Sequence, residues 1–396
     1  MLIKSYKGTV LACFMGYITQ AIMINFPPLL FVFWGSHLGI SATETTILIA
    51  SNFIIELAVD FIISRYASKI GYRKLLVMAD IFAILGICLL FILPDLMPGT
   101  PFVGLMISMM LCGMGGGLME VLISPTVEAC PTKNKAGMMS LLHSFYCWGQ
   151  VAVVFVSTIF FLVFGISNWQ IMALIWALIP AADLLLFIFV PIYSLNSEGE
   201  KEKKPGELVK SKVFWLLVVM MMCAGASELA MGQWASTFAE ATLGVEKWMG
   251  DLIGPCLFAV CMGLARVFFA KFSEKINLEK GIFISSLICT SSYLLAIFAP
   301  TGFEILSLVG CALCGIGCGI MWPGTFSIAS TKEPLGGVFM FGMLALAGDF
   351  GCLVGPTTAG LFNGNLRLGF LVALIFPITI MIISLVLFLN QKKKKA

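Results

Sequence analysis

The sequence has few charges and almost no histidine. Only 11% of its 396 residues are Asp, Glu, Lys or Arg, and histidine occurs twice. A soluble domain carries roughly 25% charged residues. With 60% apolar residues, this chain cannot clothe a surface for water, so its solvent is lipid. Motifs of other function classes are missing too. There is no GxxxxGK(S/T) phosphate loop, which excludes an ATP motor within the chain. There is no HExxH helix and no GxSxG elbow, and two histidines leave little for a metal site. The 13 cysteines fall mostly inside apolar runs and are read as small core residues, not as a metal or redox set. No enzymatic activity, metal or bound cofactor is expected.

What the sequence does have is apolar length. A spanning helix needs about 20 apolar residues. Twelve such segments are read, at 8–36, 43–64, 75–94, 101–128, 136–165, 168–194, 213–241, 249–270, 281–299, 302–330, 335–362 and 367–390. They are far longer than barrel strands, so the expected class is an all-α membrane protein. The first segment, after Lys4 and Lys7, is read as a retained helix and not as a cleaved leader. In this twelve-span arrangement, 21 of the 24 Lys and Arg fall on one side. Lys247 and Arg367 fall in loops on the other side, and Arg266 sits within a span. The positive-inside rule then puts both termini in the cytoplasm. The "QKKKKA" tail is expected at the anionic membrane surface, and no nucleic-acid partner is expected.

One long polar stretch, "NSEGEKEKKPGELVKSK", divides the spans six and six. The expected organisation is an N-terminal six-helix bundle at 1–195, a cytoplasmic linker at 196–212, and a C-terminal bundle with a basic tail at 213–396. The halves repeat. "RYASKIGYRK" from Arg65 and "KFSEKINLEK" from Lys271 match at an offset of 206. "GMGGGLME" from Gly113 and "GIGCGIMW" from Gly315 share glycine spacing at an offset of 202. Asp60 and Arg266 are also 206 apart. Parallel six-helix repeats are one architecture of secondary transporters.

These features resemble the major facilitator superfamily, over essentially the whole chain. Lys69, Gly71, Arg73 and Lys74 resemble its signature loop after span two, although Ser68 replaces the usual aspartate and Tyr72 is inserted. The glycine-rich run to Glu120 and Pro125 resembles the fucose-permease-like sugar:proton symporters. So do "LLHSFYCWG" from Leu141, "SELAMGQWASTF" from Ser227 and "GIMWPGTFS" from Gly319. The resemblance implies two pseudo-symmetric bundles that work by alternating access. It also implies a coupling acid at Glu120 and a sugar-contacting group near His143. The acid of that branch in span one is absent here, where "QAIMINFPP" offers Gln20 and Asn25.

Ionisable residues inside a membrane are functional candidates by default. Glu120 lies eight residues before Glu128, the end of span four, and His143 seven residues past Ala136, the start of span five, so in an antiparallel hairpin the two sit at similar depth. They are expected to share or exchange a proton, with Asp349 as a further coupling acid. Gln20, Asn25, Glu120, His143, Trp148, Glu228, Gln233, Trp234 and Trp322 form the expected substrate set, since amides and carboxylates take hydroxyls and aromatic faces take C–H surfaces. Asp60, Arg65, Lys69, Gly71, Arg73 and Arg266 are expected to gate. Asp183 and Arg367 are read as structural. The expected function is proton symport of a small polar solute, a monosaccharide first, by a functional monomer in the cytoplasmic membrane. Sodium coupling, proton-coupled export and a non-transporting solute sensor are the alternatives. Span five lacks the Gly-Pro that marks many exporters of the superfamily, although span eleven carries one in "GCLVGP". Linker and tail are short for a sensor.

Overall fold

The computed structural model of the chain describes residues 5–132, 135–193, 205–272, 277–300, 302–333, 336–362 and 364–395. Among these there are helices and no strands. The chain forms two compact units, Met1–Ser197 and Glu198–Ala396. The first is built from α1 (Tyr6–Asn25), α2 (Ala42–Ile70), α3 (Tyr72–Leu96), α4 (Pro101–Glu128), α5 (Lys135–Phe164) and α6 (Trp169–Phe189). The second contains α7 (Lys212–Thr237), α8 (Leu257–Phe272), α9 (Leu278–Phe298), α10 (Glu304–Gly319), α11 (Gly337–Gly360) and α12 (Ile375–Lys395). Short segments extend several of them. Pro27–Leu30 and Phe31–Leu38 continue α1, and Met321–Lys332 follows α10. A π-helical turn, Phe238–Thr242, ends α7, and another, Leu252–Cys256, leads into α8.

Eleven helical stretches among the described residues are long and apolar enough to cross a membrane. The segment expected at 335–362 is not among them; it forms the 24-residue α11, which carries Asp349 and Pro356 and is rich in glycine. Of the expected linker, residues 196–204 lie outside the described residues, and Pro205–Leu208 is one helical turn. Large apolar side chains face outward: Leu178 is 66% exposed and Phe189 67%. That surface suits lipid.

Lipid removes the hydrophobic drive between helices, so van der Waals contact at small residues must hold them. In the first unit, a methyl group at Gly113 would strike the Asn52 carbonyl, and one at Gly117 the Glu56 carbonyl. Those glycines let α4 lie on α2. In the second unit, Gly315 meets the Phe258 carbonyl and Gly319 the Met262 carbonyl, so α10 lies on α8 in the same way. The glycines are 202 apart and their partners 206 apart, so the sequence repeat is a repeat of helix contacts. A third seam joins α7 to α11, where Gly225 abuts the Gly348 backbone and Gly351 the Met222 carbonyl. Gly71, between α2 and α3, has a φ of 99°, a conformation glycine adopts without strain.

Gly315→Val is therefore expected to lower stability by about 1–3 kcal/mol through overpacking. Gly342→Ala, where no neighbour lies within 4 Å, is expected to be neutral or slightly stabilising. Thermal unfolding of the detergent-solubilised protein measures both.

Candidate functional site

In the first unit the polar groups converge on α1. Asn52, Glu56 and Asp60 recur every fourth residue of α2 and share one face. All three are buried, and Glu56 and Asp60 lie against the glycines of α4. Gln20 of α1, also buried, donates from Nε2 to Glu120 Oε2 at 2.8 Å and to Glu56 Oε1 at 3.4 Å. An amide nitrogen carries two hydrogens, one for each carboxylate. One turn earlier, Tyr17 shares a hydrogen bond of 3.0 Å with Ser124, and its ring lies 5.4 Å from that of His143. Toward the end of α1, Asn25 Nδ2 donates to the Ala21 carbonyl at 2.9 Å and to the Tyr146 hydroxyl at 3.4 Å.

The structure thus gathers Gln20, Asn25, Glu120 and His143 around one helix. Within this group Gln20 holds Glu120, and Tyr17 lies beside His143. Trp148 is 38% exposed and sits about 140° around α5 from His143, away from this group. Sequence reasoning missed Glu56, Tyr17 and Tyr146. The signal for Glu56 was present in its four-residue spacing from Asn52 and Asp60.

Two further acids of the first unit lie on α3 and α6. Asp80 on α3 and Asp183 on α6 are both fully buried. Neither carboxylate has a hydrogen-bond partner among the described residues. The sequence reading assigned Asp183 to structure alone and passed over Asp80. Of the expected gating residues, Arg73 binds three carbonyls at the end of α6: Phe187 at 2.8 Å, Ile188 at 2.7 Å and Val190 at 2.8 Å. A guanidinium there satisfies the last carbonyls and complements the helix dipole. The Lys69 ammonium lies 5.7 Å from the Tyr66 ring centre. The side chain of Arg65 lies outside the described residues.

In the second unit, Glu228 of α7 pairs with Arg266 of α8 at 3.2 Å, and the two side chains are only 10% and 11% exposed. Arg266, expected at a gate, is therefore the counter-ion of a residue expected to bind substrate. Trp234 is buried, and its indole N–H donates to the Pro356 carbonyl at 2.9 Å. Gln233 is buried beside it. The Trp322 ring covers Gly348, where a methyl group would strike it, next to half-buried Asp349. At the far end of α7, Asp251 is buried and accepts from Ser236 at 2.5 Å and from Lys247 at 2.9 Å. Lys247, read from sequence as a loop residue, also lies 3.7 Å from Glu240.

The family model described as Major Facilitator Superfamily matches residues 9–336. The chain belongs to the major facilitator superfamily. It is a multi-pass membrane transporter and not an enzyme. Its relatives include a Rhizobium meliloti protein described as membrane protein MosC, 22% identical over 320 residues, which cover 80% of this chain and 74% of that one. Among solved structures, it resembles a variant of the E. coli fucose:proton symporter FucP, with a TM-score of 0.65 at 16% identity over 96% of this chain and 98% of that one. It also resembles a variant of the nucleoside transporter NupG, with a TM-score of 0.72 at 14% identity over 96% of this chain and all (100%) of that one. At such identities the likeness establishes the superfamily fold.

Arg266→Gln leaves a buried Glu228 without its cation and is expected to cost about 3–5 kcal/mol. Adding Glu228→Gln in the same chain is expected to recover most of that loss in a thermal-unfolding cycle.

Proposed function

We propose that this transporter is a proton symporter of a small, hydroxyl-rich solute, a monosaccharide first, working by alternating access. The observation that carries the reading is the single amide of Gln20 set between the carboxylates of Glu56 and Glu120. Two carboxylates on one neutral donor oppose each other, and a proton on either relieves the opposition. Loading or releasing that proton changes which acid the amide holds. Such a switch links proton occupancy to the arrangement of α1, α2 and α4. It takes the place of the span-one acid that the fucose-permease branch carries. The coupling acids are then Glu120 and Glu56, with Gln20 as their shared donor.

The neighbouring groups suit the solute class. Asn25, Tyr17, Tyr146, Ser124 and His143 offer both donors and acceptors, as hydroxyls require. FucP is named for fucose and NupG for nucleosides, and both ligand classes present a hydroxylated ring. The basic residues support a cytoplasmic-membrane location with both termini inside.

Uptake into proteoliposomes under an imposed pH gradient tests the reading, with labelled monosaccharides and nucleosides screened in parallel and a sodium gradient as a separate arm. Wild type is expected to accumulate solute with the pH gradient alone. Glu120→Gln and Glu56→Gln are each expected to reduce accumulation to the level of empty liposomes while counterflow exchange persists. Full accumulation by both variants, or accumulation that needs sodium, would overturn it.

A further inference from the structure

The second unit holds a cluster that the transport reading does not use. Cys289 of α9 and Cys314 and Cys318 of α10 are all buried. Their sulfurs form a triangle with edges of 3.6, 3.7 and 3.8 Å. Cys314 and Cys318 are four residues apart and so face the same side of α10. Reading the cysteines as core filler missed this grouping, and with it the Cys311-x-x-Cys314 spacing just before it.

We propose that these three thiols form a binding site for a thiophilic d10 metal ion, of the Zn²⁺, Cd²⁺ or Cu⁺ class. The argument is geometric. A metal held about 2.3 Å from each sulfur at tetrahedral angles sets sulfur–sulfur edges of about 3.8 Å. The observed triangle matches that edge on all three sides before any ion is added. Ordinary packing asks only that each sulfur touch some neighbour; it does not ask three sulfurs to touch one another. Thiolates also select soft ions over Mg²⁺ or Ca²⁺, which take oxygen.

The surroundings suit the charge. Three thiolates around a divalent ion carry a net negative charge, and Gly319, next to Cys318, packs against Ala265, the neighbour of Arg266. Tyr293, one turn from Cys289, donates its hydroxyl proton to the Ser227 carbonyl at 2.8 Å and so ties α9 to α7. An ion here would tie α9 to α10 and add charge beside the Glu228–Arg266 pair. Its binding would therefore stiffen the second unit and alter transport.

Titration of the reduced, full-length protein in detergent with Cd²⁺ tests the site. The expected result is one Cd²⁺ per chain, with an ultraviolet sulfur-to-cadmium charge-transfer band, a raised melting temperature, and displacement of bound Zn²⁺ by Cd²⁺ when the protein is loaded with Zn²⁺ first. Cys289→Ser, Cys314→Ser and Cys318→Ser are each expected to weaken binding by at least about 10–100-fold, the loss typical for disturbing even a supporting group of a metal site. Cys112→Ser, in the other unit, is expected to leave the band unchanged. Absence of the band in wild type overturns the proposal whatever the variants do. So does a band that survives the triple serine variant, or one that disappears equally with Cys112→Ser.

Discussion

A carboxylate inside a lipid-embedded bundle has to be met by a donor, a cation or a proton, because lipid cannot solvate it. This chain meets that requirement in different ways. Glu120 and Glu56 share the amide of Gln20. Glu228 is matched by the guanidinium of Arg266. Asp251 takes the ammonium of Lys247 together with the Ser236 hydroxyl. Asp80 and Asp183, on helices that pack together, have no hydrogen-bond donor among the described residues. A fixed cation neutralises an acid permanently, whereas a neutral amide leaves room for a proton to come and go.

Beneath this chemistry lies a duplicated scaffold. Glycines at equivalent positions bring α4 onto α2 and α10 onto α8 against equivalent carbonyls. The polar residues did not stay duplicated. Glu56 corresponds to Met262, Asp60 to Arg266, and Glu120 to Trp322. Backbone contact is a requirement of packing in lipid, and both halves must satisfy it. Side-chain charge is free to diverge once the backbone is held, so each half acquired its own electrostatics.

Much of the fold was legible in the sequence. Apolar runs of spanning length, the glycine spacing and the offset between halves each report a local or periodic constraint, and each reappears as a helix or a helix contact. The candidate site was legible in part. Gln20, Asn25, Glu120 and His143 were picked out as polar residues in apolar surroundings, and they do gather around α1. Their partners were not foreseen. Depth along a hairpin fixes only one coordinate; rotation of each helix decides which side chains meet, and it set the Gln20 amide on Glu120. The same rotation put Glu56 beside Gln20, Arg266 beside Glu228, and Trp148 away from the group.

The sequence by itself determined that this chain lives in lipid, that it is helical, that it was built twice, and which few residues carry charge into the membrane. Those properties depend on composition and on spacing along one helix, which the order of residues states directly. Only the tertiary structure decided which carboxylate shares an amide, which keeps a cation, and which three thiols stand in contact. These pairings join residues as far apart as 100 positions in the chain. They depend on helix rotation and close approach, which are settled when all the helices pack together.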